Sequence, residues 1–364
     1  MKKVQIYASV KAAENLMYSD YWWKVLTGFC NLYIDATQED LNELECSGEL
    51  DSNPFFQLRS SSDPAVASKE QIEEIKKDNS KVLEHPSALY FLDIPTEDAT
   101  KIENDYGVIC KSDKAPIDEN LLNSRREITC VKDELKHNWK EFLYKMKNEP
   151  TNAIVINDRY LFANDCLSED PKKSKTPGID AALELLDAIM PDTFSSKDSY
   201  HILIIYSEIN NDVKCKIPFV SLLTKLNKAI NKIRKYNVNF ELWSIPQNSH
   251  NYERTHNRRV VTNYHLIRCE HSLAAFDNGK AKVSQVMNYD AFFSNGINGD
   301  SDAPYISIDL LLSDLSEIND YGMGHKETCM YKSGINGRTI KSQQDNKKII
   351  FSNIENRLIK QYAK

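Results

Sequence analysis

One octet occurs twice in this chain, and what lies between the copies restricts the fold more than any other feature. Asn157-Asp158-Arg159-Tyr160-Leu161-Phe162-Ala163-Asn164 and His256-Asn257-Arg258-Arg259-Val260-Val261-Thr262-Asn263 share the template His or Asn, one residue, Arg, four residues, Asn. Their first residues stand 99 positions apart. A short apolar run, Ala153–Ile156, leads into the first copy. Gly178–Met190 then reads as a helix, and Tyr200–Ser207 as a continuous apolar strand of the kind buried on both faces. Phe219, Leu222, Leu223, Leu226, Ile230 and Ile233 recur at helical spacing, which makes Pro218–Tyr236 an amphipathic helix with Lys225, Lys228, Lys232, Arg234 and Lys235 on its other sides. Val238–Ile245 is a further strand, and the polar loop Pro246–Thr255 leads into the second copy. The order strand-octet, helix, strand, helix, strand-octet is what a duplicated α/β unit predicts.

Upstream, strand candidates at Val4–Ala8, Leu32–Asp35, Ala88–Ile94 and Gly107–Lys111 alternate with helix candidates such as Lys69–Asp78 and Thr96–Asn104. This alternation favours an α/β or α+β domain over residues 1–148, of unassigned role. Asp51–Ala67 and Cys110–Asn123 read as irregular connections, and Val131–Lys147 as a helix leading through Glu149-Pro150 into the C-terminal part. Beyond the second octet, Leu266–Phe276, Val283–Tyr289 and Tyr305–Leu311 read as strands, Ser313–Tyr321 as a helix, and Lys347–Tyr362 as a terminal helix. Gly296-Ile297-Asn298-Gly299 and Gly334-Ile335-Asn336-Gly337 are turn tetrapeptides.

At 364 residues the chain exceeds the usual size of a single core, so two domains are expected, 1–148 and 149–364. Residues 1–148 carry 27 acidic and 19 basic side chains, whereas residues 149–364 carry 26 and 27, so both octets lie in the part without a negative excess. The overall charge of −7 does not support non-specific nucleic-acid binding, although a local basic site can still hold a phosphate. The eight cysteines are dispersed without a zinc-type spacing and read as reduced, mostly buried thiols in a cytoplasmic protein. No stretch has the apolar length needed to cross a bilayer.

Both octets resemble the signature of the phospholipase D-like superfamily, in which two copies of His, one residue, Lys, four residues, Asp meet across a pseudo-twofold axis. The resemblance covers roughly residues 150–310 and implies a C-terminal mixed sheet flanked by helices. It also implies metal-independent phosphoryl chemistry, one histidine attacking phosphorus and the other protonating the leaving oxygen. Arg159 and Arg258 fill the lysine slots, keeping the charge and adding a planar fork suited to two phosphate oxygens. Asn157 fills the first histidine slot, and an amide neither attacks phosphorus nor acts as a general acid. Asn164 and Asn263 fill the aspartate slots without a negative charge to orient a histidine.

The pattern therefore implies a degenerate site in which Arg159, Arg258, Asn157, Asn164 and Asn263 recognise phosphate, on a nucleic acid or a nucleotide, with no cofactor and no metal. The enzymatic alternative is a metal-independent phosphodiesterase or nuclease with His256 as nucleophile. Its missing acid would come from His250, His265, His271 or a second copy of the chain in a homodimer. A purely structural role within a protein complex is the third reading. Outside the octets, Cys269-Glu270-His271 reads as packing rather than a metal pair. Asp35 and Asp93, at strand ends, read as caps rather than a carboxylate metal site. The lysines of Pro218–Tyr236 read as a solvated face.

Overall fold

The computed structural model describes residues 3–134, 138–144, 149–166, 174–195, 197–208, 217–246, 258–277, 279–294, 304–322, 329–332 and 354–362. It is an α/β protein of two compact units, Met1–Ser124 with Ala291–Asp309, and Arg125–Asp290 with Leu310–Lys364. The division thus falls after Ser124, not after residue 148, and the first unit is completed by a segment that returns late in the chain.

The first unit runs β1 (Val4–Ala8), α1 (Val10–Tyr18), α2 (Asp20–Phe29), β2 (Cys30–Ile34), α3 (Gln38–Cys46), α4 (Pro54–Ser61), β3 (Val66–Ala67), α5 (Lys69–Lys77), β4 (Leu89–Leu92), α6 (Thr96–Tyr106) and β5 (Ile109–Ser112). Its five strands are all parallel in the order β3-β2-β1-β4-β5. Tyr7 is registered with Tyr33 on one side and Tyr90 on the other, and its ring stacks on both at 4.9 and 5.3 Å. Each such pair adds about 0.5–1.5 kcal/mol beyond its area burial. Helix α4 lies inside the connection expected over Asp51–Ala67. Asn53 starts it by accepting from Phe55 N and Phe56 N, ahead of a proline at the first helical position. The returning segment is tied in by Phe293, which donates its backbone amide to Leu122 O and packs its ring near Trp22 and Phe29.

In the second unit the order is β6 (Arg125–Cys130), α7 (Trp139–Phe142), β7 (Ala153–Asn157), α8 (Pro177–Ile189), β8 (Tyr200–Glu208), α9 (Phe219–Ile233), β9 (Val238–Pro246), β10 (Arg259–Thr262), β11 (His265–Cys269), β12 (Phe276–Asp277), β13 (Lys280–Ala281), β14 (Gln285–Ala291), α10 (Pro304–Gly322, whose residues up to Asp309 belong to the first unit), β15 (Cys329–Lys332) and α11 (Arg357–Lys360). An eight-stranded mixed sheet has the order β15-β9-β8-β7-β10-β11-β14-β6. Strands β7, β8 and β9 are parallel, as crossovers through α8 and α9 require, and β10 returns antiparallel beside β7. Helices α8 and α9 pack together, burying Leu185, Leu186, Leu222, Leu226 and Ile230. Arg234, just past α9, donates to the Asp187 carboxylate and to the carbonyls of Asp187, Met190 and Pro191, closing the C-terminus of α8. It is thereby withdrawn from the solvated face on which Lys225, Lys228 and Lys232 remain.

The structure departs from several expected elements. Among the described residues of the helix expected over Val131–Lys147, α7 is helical, Asp133 has φ +66° and interrupts the helical path, and residues 135–137 and 145–147 lie outside the described residues. Ahead of it, Arg125–Cys130 is a strand held by β14 in the register Gln285↔Cys130 to Asp290↔Arg125. The strand expected over Tyr305–Leu311 belongs to α10, where Tyr305, Ile308, Leu311, Leu312 and Leu315 are buried at helical spacing. Of the expected terminal helix, Arg357–Lys360 is helical, and residues 347–353 lie outside the described residues, as do both glycine tetrapeptides.

Candidate functional site

Strand β7 is buried along its whole length and delivers the first octet at its C-terminal end. Asp158 still follows the sheet, donating its amide to Ile205 O at 3.1 Å, and then the chain turns through successive short backbone bonds, Leu161 N to Asp158 O, Ala163 N to Tyr160 O and Asp165 N to Phe162 O. Asp158 organises this turn. It is fully buried, and its carboxylate accepts from Tyr160 N at 2.9 Å, Ser272 Oγ at 2.9 Å and Leu273 N at 2.8 Å. Burial pushes its pKa up, against the opposing pull of those hydrogen bonds and of the Arg258 charge.

The same turn is locked to α8. Asp165 accepts from Gly178 N at 2.6 Å and Ile179 N at 2.9 Å, satisfying two first-turn amides of that helix. Asp158, at an unfixed position of the octet template, and Asp165, just past its end, are structural residues that the template does not mark.

In the second octet, His256 and Asn257 lie outside the described residues. Arg258 enters β10, with its carbonyl accepting from Cys269 N and its guanidinium donating to Glu270 O. The β7–β10 ladder pairs Asn157 with Arg259, the first residue of one octet with the fourth of the other. The ladder ends at that pair, and beyond it the Arg258 charge acts on Asp158.

The two slot arginines come together on one ring. The guanidinium carbon of Arg159 lies 5.2 Å from the Tyr160 centroid and that of Arg258 lies 5.5 Å from it, both within cation–π range. Arg159 is buried and Arg258 half-buried.

The other slot residues go elsewhere. Asn157 is fully buried, and neither end of its amide has a hydrogen-bond partner among the described residues. Asn164 is exposed on the turn. Asn263 is fully buried at the opposite end of the ladder, donating to Asn152 Oδ1 and accepting from Asn152 N and Ala153 N. The octets diverge in backbone as well, because the second half of the first is a turn and the second half of the other is β10 itself.

Of the candidate histidines, His250 lies outside the described residues. His265 is buried beside Asn263, stacked on Tyr289 at 5.1 Å and paired with Glu149. At about 3.3 Å per residue it lies several residues along the ladder from the arginine pair. Burial raises the Glu149 pKa, but the charge and hydrogen bond of His265 outweigh it and leave the carboxyl below its usual value. His271 is exposed and immediately precedes Ser272, which donates to Asp158, so it stands at the arginine end. Cys269 is buried, and its thiol is pushed well above the usual value by burial.

In the first unit, Asp35 pairs with Lys76 at 2.5 Å and Asp93 with Lys114 at 3.4 Å; these strand-end carboxylates are engaged by lysines. Across β2, β1 and β4 they start from strands separated by one intervening strand, roughly 9–10 Å apart.

No family model matches the chain, and no curated protein matches it.

Proposed function

We propose that the second unit is a phosphate-recognising binding module, built on a catalytically degenerate site of the phospholipase D-like kind, and that its ligand is a nucleic acid or a nucleotide. One observation carries this reading: the register of β7 on β10 sets the two octets head to head, and Arg159 and Arg258 meet on Tyr160. Two guanidiniums at one place concentrate positive charge suited to phosphate oxygens, Arg258 also donating to Glu270 O, and their aromatic support holds them in position at low entropic cost. The Asp158 carboxylate and the Arg258 guanidinium attract each other, which moderates the local positive charge.

A second reading, hydrolysis with His256 as nucleophile, draws on the placement of His271 at the arginine end, where a general acid would be needed. The two readings separate in one experiment. Labelled single- and double-stranded DNA and RNA are incubated with the protein in EDTA, and retention and cleavage are scored for wild type, Arg159→Gln/Arg258→Gln, His256→Ala and His271→Ala. Retention without cleavage, lost in the double arginine variant and kept in both histidine variants, is the expected outcome. Cleavage in EDTA abolished by His256→Ala establishes the hydrolase instead. Neither retention nor cleavage rejects both.

A further inference from the structure

The two arginines of the second octet stand side by side in the sequence but lead to opposite faces of the sheet. Arg258 goes to Tyr160. Arg259 is the register partner of Asn157 on β7 and of Arg268 on β11, and registered neighbours project to the same face. The row continues outward, because Arg268 donates to Asp290 at 2.6 Å and Asp290 is registered with Arg125. Three cations and one carboxylate therefore lie along one line.

Within that line Arg259 is the member without a counter-ion. Among the described residues its side chain makes no hydrogen bond and no ion pair, although it is half-buried. Its direct neighbour is Arg268, and like charges placed opposite each other on adjacent strands destabilise a sheet. Burial, and then the Arg268 charge, pull its pKa down. On its other side is Asn157, fully buried, with both the Oδ1 acceptor and the Nδ2 donor unpartnered. A buried unmade hydrogen bond costs about 1–3 kcal/mol, so an arrangement with two of them beside an unbalanced cation calls for a missing group.

From this row we propose a second anion site, formed by Arg259, Arg268 and Asn157, that takes a protonated phosphate: inorganic hydrogen phosphate or a phosphomonoester monoanion. The arginines supply the charge. Asn157 Nδ2 donates to one phosphate oxygen, and Asn157 Oδ1 accepts from the P–OH. Arg268 keeps its bond to Asp290 and turns its remaining donors to the ligand, since a guanidinium has five. With its side chain 39% exposed, Arg268 forms the open rim, and Asn157 and Asp290, both fully buried, form the floor. The site is distinct from the Arg159–Arg258 pair and does not depend on it.

The proton gives the site a selectivity that a simple cationic patch lacks. Sulfate has nearly the shape and charge of hydrogen phosphate but carries no proton at neutral pH, so it leaves Asn157 Oδ1 unsatisfied. The test is calorimetric titration of the full chain with inorganic phosphate, sulfate and AMP at constant ionic strength and at about pH 6, near the second pKa of a phosphomonoester, so that AMP presents a P–OH. Phosphate is expected to bind at least tenfold more tightly than sulfate, and AMP binding at comparable strength identifies a monoester as the ligand form, whereas phosphate binding alone identifies the free ion. Arg259→Gln is expected to weaken phosphate at least tenfold without lowering the Tm of the ligand-free protein. Asn157→Leu is expected to abolish the preference over sulfate. The Arg159→Gln/Arg258→Gln variant is expected to titrate with phosphate as wild type does. Equal binding of sulfate and phosphate, no phosphate binding, or binding indifferent to Arg259→Gln overturns the proposal. Phosphate binding lost with the octet pair and kept in Arg259→Gln overturns it too, while leaving the Arg159–Arg258 module standing.

Discussion

Gly178 faces the carbonyl of Leu161 so closely that a Cβ on it would stand 2.0 Å from that oxygen and 3.0 Å from Phe162 Cα. The turn of the first octet and the first turn of α8 are in backbone contact, and no residue other than glycine fits between them. In an exposed helix, replacing glycine by alanine stabilises by about 1 kcal/mol. Here the sign reverses. Gly178→Ala is expected to cost at least about 3 kcal/mol, since neither backbone can yield without breaking the Asp165 bonds. Urea unfolding monitored by tryptophan fluorescence measures it, and a change smaller than 1 kcal/mol (roughly the helix-propensity effect) would mean that the octet turn does not seat on α8 in this way.

The carboxyl that seals this junction titrates in an accessible range. Burial raises the Asp165 pKa from 3.8 to about 6, despite the opposing backbone hydrogen bonds from Gly178 and Ile179. A folded-state pKa above the unfolded one means that the folded form binds the proton more tightly. The resulting stability is complete below pH 3.8 and is lost as pH rises through about 6. Its size is on the order of 3 kcal/mol. Asp165→Asn, which carries no ionisable group, is expected to be no less stable than wild type above about pH 6 and to flatten the pH dependence between pH 4 and 7 (roughly the span of the shift). Parallel slopes for wild type and variant across that range would contradict the assignment.

Asn263 carries three hydrogen bonds that join the end of β10 to the start of β7, all inside the protein. Asn263→Ala removes the acceptor of the Asn152 and Ala153 amides and the donor to Asn152 Oδ1, at an expected cost of about 2–3 kcal/mol. Asn263→Asp is expected to be at least as damaging, because it removes the donor to Asn152 and buries a charge with no cation provided for it. Thermal unfolding should show both losses, with phosphate-ligand affinity of the folded protein unchanged within twofold (about 0.4 kcal/mol). A selective loss of ligand binding at wild-type stability would place Asn263 in recognition instead.

The parts legible in the sequence are those whose signal is local. The runs Val4–Ala8, Tyr200–Ser207 and Val238–Ile245 are continuous or alternating apolar segments, and the structure has strands at β1, β8 and β9. The spacing of Phe219 to Ile233 likewise matches α9. What escaped depends on distant partners. Arg125–Cys130 becomes a strand because β14, some 160 residues later, pairs with it, and the same pairing moves the unit boundary to Ser124. Tyr305–Leu311 has an apolar content that suits strand and helix alike, and only burial at helical spacing decides for α10.

The site shows the same division. The template singled out Arg159 and Arg258, and they meet at Tyr160. It also grouped Asn164 and Asn263 with them, whereas one is exposed on a turn and the other is buried at the far end of the ladder. Equal spacing in sequence does not give equal placement when one copy follows its strand and the other leads into it. Arg259 was masked as a possible ligand residue by its neighbour Arg258, and only the register of β10 between β7 and β11 separates their faces.

The central claim is that Arg159 and Arg258 form one phosphate site, and a double-mutant cycle addresses it most directly. The affinity of a fluorescein-labelled oligonucleotide is measured for wild type, Arg159→Gln, Arg258→Gln and the double variant at one fixed salt concentration. If both forks grip the same phosphate group, each single change should remove most of the affinity, and the double change should lose less than the sum of the two, with a coupling of at least about 1 kcal/mol. Strictly additive losses, or affinities that none of the three variants alters, would contradict a shared site.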